Sequence, residues 1–546
     1  MQGLVACHEP PAAAVGRRIF ERGGNVADVA VATAFAQIVA NPFDSSLSGK
    51  VSIHVCGLGA AQGVILDAGH VIGSLAHPNS FRDVYIGRFE GVGQFLVEGH
   101  VNSVGYRSIM AFGFVPALQQ LYERFGGGRL KWRELVEPAA ELAEAGFDVY
   151  PKIAHYWDDD QIALPSAGWN LRQVLAAGNE AARKVFYKPG GQAYKNGERF
   201  VQADHARTLR RIAEEGPEVF YRGDIARQMA DDFAQNGAFV TIEDLAEYRI
   251  EVREPIKITY KGYEVSANPP PGSGMLALMM LNIIEGFDVG RLGHNTPEYV
   301  EVVSESMRCA LLARAKYRGD PKLVDVPIDM LLSKQYASDW RDRIRVGDVP
   351  APSWGAESSS TTHVSVMDSE GNAVTMTHSH GGHAGAAIVT PGLGFLHNSH
   401  MKQFDPKPGS IDSIVPGKRQ GGSVPTIVRK DGEPVIAIGG AGGTRQMTGT
   451  VQTILNVIEH GMDIHTAIAA PRFHCEQPGL LLVEAGVPEP TCRALRATGR
   501  TVQVSGRSLG RISAVYRDLH TGDLSGGAEV RNDYGRGNVG YYTDES

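Results

Sequence analysis

The chain has 546 residues and a formal net charge of −8, with 43% hydrophobic, 8% aromatic and only 21% charged residues. This composition excludes a disordered chain, and without a basic block there is no electrostatic ground for a nucleic acid or an anionic membrane as partner. Glycine is in excess, 65 residues or about 12% against a usual ~7%, with no Gly-X-Y period, which points to tight turns and close backbone approach in a large layered enzyme.

Residues 1–7 carry neither a basic n-region nor an apolar h-region, which predicts a cytoplasmic protein. No apolar run reaches the ~20 residues of a membrane helix. Cys7, Cys56, Cys309, Cys475 and Cys492 are scattered and odd in number, so buried reduced thiols are expected rather than a disulfide framework. Helices are predicted over 11–22 and 26–40, with Gly23-Gly24-Asn25 ending the first and capping the second. The second is apolar all round and should be buried.

Strands follow at 51–56 and 64–67. A mainly helical stretch then offers helices at 109–125, 133–145, 206–214, 223–235, 272–285 and 296–317, with a strand pair at 256–266 turning at Lys261-Gly262. Residues 350–360 have linker composition. Beyond them the period becomes two, and a hairpin is expected in which Val364, Val366, Val374 and Met376 are the apolar positions. More strands read at 424–429, 434–439 and 511–517, and helices at 445–460, 463–470 and 489–498. Strands at the centre with helices before and after predict an α/β fold, a four-layer αββα sandwich.

Three groups of residues suggest chemistry. Thr361 opens a strand directly after the linker. A threonine hydroxyl is a weak nucleophile unless a base adjoins it, and cleavage before Thr361 would supply its own α-amine; a plain polar loop is the alternative. Gly439-Gly440-Ala441-Gly442-Gly443 runs from a strand into a helix, a nest of amides suited to a phosphate or an oxyanion, or else a tight turn. Six histidines, at 363, 378, 380, 383, 397 and 400, fall within 40 residues. Strand alternation places His378 and His380 on one face and Ser379 on the other, which leaves metal binding, carboxylate or amide recognition, and structural hydrogen bonding as readings.

Read together, these residues resemble the γ-glutamyltranspeptidase family of N-terminal-nucleophile (Ntn) hydrolases along almost the whole chain. Gly23-Gly24-Asn25-Val26-Ala27-Asp28, Thr241-Ile242-Glu243-Asp244-Leu245, Pro269-Pro270-Pro271-Gly272-Ser273-Gly274, Thr361-Thr362-His363-Val364, Gly442-Gly443-Thr444-Arg445 and Ala470-Pro471-Arg472-Phe473-His474 carry the match in order. The resemblance implies self-cleavage before Thr361 into a large subunit 1–360 and a small subunit 361–546 that stay together, with a homodimer or heterotetramer of processed subunits as a further expectation. It implies Thr361 as nucleophile, Ser379 as its hydrogen-bonding assistant, the Gly442 and Gly443 amides as oxyanion hole, and no cofactor or metal.

Departures from the family pattern concern substrate. Where relatives carry Asp-Phe-Arg-Glu, whose arginine grips a γ-glutamyl carboxylate, this chain reads Asp67-Ala68-Gly69-His70. Where relatives place a glutamine and an acid for the substrate ammonium stand His400 and Gln403, and the paired serines become Gly421-Gly422-Ser423. An amino-acid zwitterion has lost both fixed charges. With His380, His400, Gln403, Gly422 and Ser423 as binding residues and Lys50 or Lys402 as new cations, the expected substrate is a small amide whose acyl group is neutral or anionic. The competing expectations are γ-glutamyl transfer through a rebuilt site, a metal-dependent hydrolase, and a non-catalytic relative.

Overall fold

The computed structural model describes residues 3–89, 94–317, 319–350, 360–477 and 479–529. Twelve of the described strands build two antiparallel six-stranded sheets. They are β1 (Gly3–Cys7), β2 (Lys50–Gly57), β3 (Ala60–Ala68), β4 (Glu251–Arg253), β5 (Ile256–Tyr260), β6 (Tyr263–Ala267), β7 (Ser360–Asp368), β8 (Ala373–Gly381), β9 (Thr426–Lys430), β10 (Glu433–Ala441), β11 (Arg511–Arg517) and β12 (Leu524–Ala528). The first sheet runs β1-β7-β8-β2-β3-β4 and the second β5-β6-β9-β10-β11-β12. Face to face, they bury Leu4, Ala6, Met367, Ile427, Ala437 and Val515 between them.

Helices cover both outer faces. On the first sheet lie α1 (Pro10–Glu21), α2 (Val26–Ala40) and α3 (Phe114–Phe125), backed by α4 (Trp132–Ala145) and α5 (Ala203–Glu215). The second sheet carries α6 (Gly274–Ile284) and α8 (Thr444–Ile458), with α7 (Pro297–Tyr317) packed against α6. The α/β expectation of an αββα sandwich describes this arrangement. Every residue of α2 is buried, as its uniform apolarity requires, and Asn25 caps it by accepting from the Ala27 and Asp28 amides at 3.0 Å each. The expected hairpin pairs Val364 with Met376 and Val366 with Val374.

Differences from the sequence reading have local causes. The helix expected from residue 109 starts at Phe114, because Ala111 is drawn into a bridge with Val71 and the Phe114 amide donates to the Gly49 carbonyl at 3.1 Å. Strand β1 carries too short an apolar run to announce itself; its antiparallel pairing with β7, Gly3 opposite Asp368 to Cys7 opposite Val364, is a long-range decision. The linker 351–359 lies outside the described residues. All five cysteines are free and buried. Among the described residues no helix is long and apolar enough to cross a membrane.

A buried ion cluster ties the C-terminal strands down. Arg472 is 1% exposed and bonds Glu529, approaches Glu484 at 3.5 Å, and donates to the Ile468 and Gly510 carbonyls at 2.7 and 3.0 Å. Removing one member of such a set strands the others without water. Arg472→Met is therefore expected to lower unfolding free energy by about 3–5 kcal/mol, read from the urea midpoint; a loss under about 1 kcal/mol would contradict it.

Candidate active site

Strand register brings the site together at one end of the first sheet. Ser379 of β8 stands opposite Lys50, the first residue of β2, and on its other side Ser360 stands opposite Gly381 and Thr362 opposite His378. A register shift between Ser360 and Thr362 puts Thr361 on a bulge, where a strand bends and re-aims a side chain. Thr361 is 2% exposed. Its hydroxyl donates to the Ser360 carbonyl at 2.6 Å, and the Ser379 hydroxyl donates to the same oxygen. The Gly381 amide donates to Ser379 Oγ at 3.2 Å, and Ser360 Oγ donates to the Gly381 carbonyl at 3.1 Å. Two hydroxyls thus polarise the peptide carbonyl just ahead of Thr361.

From the second sheet β10 ends at Ala441, and Gly442 and Gly443 follow with φ of +116° and +64°, conformations that side chains rarely adopt. Gly443 caps the fifteen-residue helix α8, whose N-terminal amides favour negative charge. Gly443 and Thr444 line the same pocket as Thr361. The other walls are Lys50, Ser273, Leu276, Arg314, Gln403, Gln420, Gly421, Gly422, Ser423, Gln446 and Met447. Among the described residues that line it there is no aspartate or glutamate. Lys50 Nζ donates to Gln420 Oε1 at 2.9 Å and to the Gly421 carbonyl at 2.5 Å, and Gln420 bonds Gln403.

Of the expected binding residues, Gln403, Gly422 and Ser423 line this pocket and His380 and His400 stand outside it. The period-2 reading holds geometrically: His378 and His380 turn toward the helical layer, where His380 Nε2 meets the Phe43 carbonyl at 2.9 Å and His378 bonds Ser45 Oγ at 2.8 Å and Gln37 at 3.0 Å. His400 packs against His70, ring centroids 4.6 Å apart and the planes tilted by 41°. His363 fills the inter-sheet space, bonded to Thr377 at 2.7 Å and Ser365 at 3.0 Å. A Cβ on Gly439 would lie 2.2 Å from its ring, so only glycine fits there. Among the described residues no three His, Cys, Asp or Glu side chains are grouped as a metal ion would need.

Position 69, where the family's arginine is missing, is closed by backbone: a Cβ on Gly69 would lie 2.7 Å from the Gln420 carbonyl oxygen. Gln420 there pairs with His70 in a short two-stranded ladder. The pocket's cations come instead from β2 and α7.

Behind Thr361 lies a buried charged network that sequence reasoning missed. The Thr362 hydroxyl lies 2.9 Å from both Glu9 carboxylate oxygens, and Glu9 also accepts from Gln37 at 2.7 Å and Lys152 at 3.0 Å. Burial alone would raise Glu9, but Lys152 and the hydrogen bonds from Asn41 and Gln37 hold it down to about 2. Asp44, likewise fully buried, is pulled well below the usual carboxylate range by Arg511, His383 and Lys152. Arg511 bonds Asp44 at 2.8 Å and the Thr361 carbonyl at 2.9 Å. Glu9 stands between β1 and α1, at the start of the helix, and Asp44 sits in a loop; neither has a local pattern to mark it.

The buried histidines make stability sensitive to pH. Burial lowers His8, His54, His397 and His474 to about 3 and His378 and His380 to about 4. Between their unfolded value near ~6.5 and these folded values the unfolded chain binds more protons, so stability falls as pH drops, each group contributing up to ~1.4 kcal/mol per pH unit. Asp67, raised by burial to about 6, works the other way below that pH, as one group against several. Urea midpoints should fall steeply from pH 6.5 to 5; a flat profile would refute neutral burial.

The layered fold and the hydroxyl-crowned peptide at the mouth of a pocket define an Ntn hydrolase, a class that acts on amide bonds. The chain belongs to the γ-glutamyltranspeptidase family: residues 12–538 match the family described as Gamma-glutamyltranspeptidase. It is 36% identical to an acylase ACY 1 proenzyme of Pseudomonas sp. (strain V22) over 97% of this chain and 92% of that one. It is 32% identical to a glutathione hydrolase proenzyme of Escherichia coli (strain K12) over 97% and 90%. The crystal structure of a cephalosporin acylase from Bacillus halodurans superposes with a TM-score of 0.83 at 30% identity, covering 97% of this chain and 95% of that one.

Proposed function

We propose that the protein is a self-processing threonine amidohydrolase whose preferred acyl group carries a carboxylate and no ammonium. The observation that carries the substrate reading is the pocket at Thr361, with Lys50 and Arg314 in its wall and no acidic side chain among its described lining residues. A zwitterionic γ-glutamyl group needs an anion for its ammonium, whereas a dicarboxylate monoamide needs only cations and amide donors. The acylase relatives support the reading.

In maturation the Thr361 hydroxyl oxygen adds to the Ser360 carbonyl carbon, the hydroxyl proton passes to the Thr361 nitrogen, and the C–N bond breaks. An ester joins Ser360 to Thr361 Oγ1, and water splits it into a Ser360 carboxylate and a free N-terminal threonine. The Ser379 hydroxyl, already on the scissile oxygen, stabilises the charge that grows there. In turnover the new α-amine takes the hydroxyl proton, Thr361 attacks the substrate amide, and the amides at Gly442 and Gly443 receive the oxyanion. The departing amine takes the proton, and water or an acceptor amine resolves the acyl ester.

Because Ser379 supplies one donor among several, Ser379→Ala should slow the appearance of the two subunits and the subsequent kcat by about 10- to 100-fold each. Gel densitometry over time with titrated-site kinetics measures both; unchanged maturation would remove Ser379 from the reaction. The reading as a whole is tested with glutaryl-p-nitroanilide against γ-glutamyl-p-nitroanilide. Preference for the glutaryl compound, with the acyl group found on Thr361 by mass spectrometry, supports it, and preference for the γ-glutamyl compound overturns the acyl assignment.

A further inference from the structure

Cleavage before Thr361 poses a mechanical difficulty. In the intact strand Thr361 is held from both directions, with Ser360 paired to Gly381 ahead of it and Thr362 paired to His378 behind. Pairing with β1 ends at Val364, three residues short of the bulge. Once the peptide bond is cut, Ser360 and its pairing no longer restrain residue 361, and a chain terminus on a bulge at a strand end is the kind of segment that frays.

We propose that Arg511 is a positioning residue that holds the newly made N-terminal threonine in register with the oxyanion loop. Its backbone pairs with Ala441, the residue just before Gly442. Its guanidinium reaches across to the first sheet and donates to the Thr361 carbonyl oxygen at 2.9 Å. One residue thus measures the separation between nucleophile and oxyanion donors. The guanidinium is aimed by Asp44 at 2.8 Å, and Asp44 is fixed in turn by the Tyr156 hydroxyl at 2.8 Å and the Asn41 amide at 2.7 Å. Thr362, bonded to Glu9, anchors the following residue from the helical side. None of these ties uses the bond that maturation breaks.

The intact precursor has the strand on both sides of Thr361 to align it, whereas the mature enzyme relies on these ties. Loss of Arg511 is therefore felt more in turnover than in self-cleavage, and in kcat rather than KM, because the guanidinium holds the nucleophile and not the acyl group. Misplacement by about 1 Å costs on the order of 10²-fold in rate.

The proposal rests on Thr361 being the nucleophile, and the test separates the two. Full-length Arg511→Met is matured, its active sites are titrated by mass of the acyl-Thr361 adduct, and glutaryl-p-nitroanilide hydrolysis is measured per titrated site. The expected result is complete cleavage into two chains, kcat reduced about 10- to 100-fold, KM within about threefold, and recovery of most of the loss in Arg511→Lys, which keeps a cation on the same carbonyl. If Arg511→Met does not fold, Arg511→Met with Asp44→Asn, which strands no buried charge, must show the same kcat loss. A kcat per titrated site within twofold of wild type, in whichever of these variants folds, overturns the proposal, as does a loss that Lys does not relieve. If the wild-type adduct maps to a residue other than Thr361, the functional reading falls as well; if it maps to Thr361 and kcat is unmoved, only the positioning role falls.

Discussion

Replacement of Thr361 by alanine is expected to leave one uncut chain that hydrolyses no amide. The same hydroxyl is asked to break the Ser360–Thr361 bond and to attack substrate, so a single substitution removes both events. Activity should fall at least about 10⁴-fold, since loss of a covalent nucleophile leaves only binding and oxyanion stabilisation. A denaturing gel and N-terminal sequencing decide the first event and p-nitroaniline release the second. An alanine variant that still yields two chains beginning at residue 361, or that retains a tenth of the activity, would rule the mechanism out. Folding should be spared: the substitution only trims a side chain that lines the pocket wall.

The second large effect concerns Lys50. Lys50→Met keeps length and apolar bulk but deletes a cation from the pocket wall, leaving a substrate carboxylate there without its charge partner. The value of kcat/KM for glutaryl-p-nitroanilide should fall roughly 10²- to 10³-fold. Hydrolysis of pentanoyl-p-nitroanilide, which has the same chain length and no terminal charge, should change little. The ratio of the two is the informative quantity, because general damage to the site lowers both. A variant that slows the two compounds equally would show that Lys50 supports the wall through Gln420 and Gly421 and does not read the acyl group.

The layered fold could be read from the sequence because its core elements advertise themselves locally. Helix α2 is apolar on every side, the β7–β8 hairpin alternates cleanly, and the capping asparagine and the glycine loop stand where chain direction changes. Long-range pairing was not readable: β1 joins β7 across more than 350 positions of sequence, and no local period specifies that partner. At the site, Thr361, Ser379 and the glycines lie on motifs, whereas Glu9, Asp44 and Arg511 are single charges made relevant by three-dimensional proximity. Arg314 had a signal that went unread, since it extends the helical stripe Val300, Val303, Met307, Ala310 into the interior. The histidines mislead for the opposite reason: their clustering in sequence is conspicuous, while the strand and loops carrying them turn most of the rings away from the pocket.

The order of strands has one more consequence. In the first sheet β7, which but for Ser360 lies beyond the proposed cleavage point, and β8 are flanked by β1 on one side and β2 on the other, both from before it, and in the second sheet β6 adjoins β9 in the same way. Cutting at Ser360–Thr361 therefore yields two polypeptides woven through one another, and separating them requires unzipping both sheets. Nicked material should run as a single species in gel filtration and melt as one unit. Its refolding, however, changes order: the precursor folds as one molecule, while the denatured cut protein must find its other half in solution. The proposed maturation would thereby leave a fold whose persistence rests on how slowly it opens.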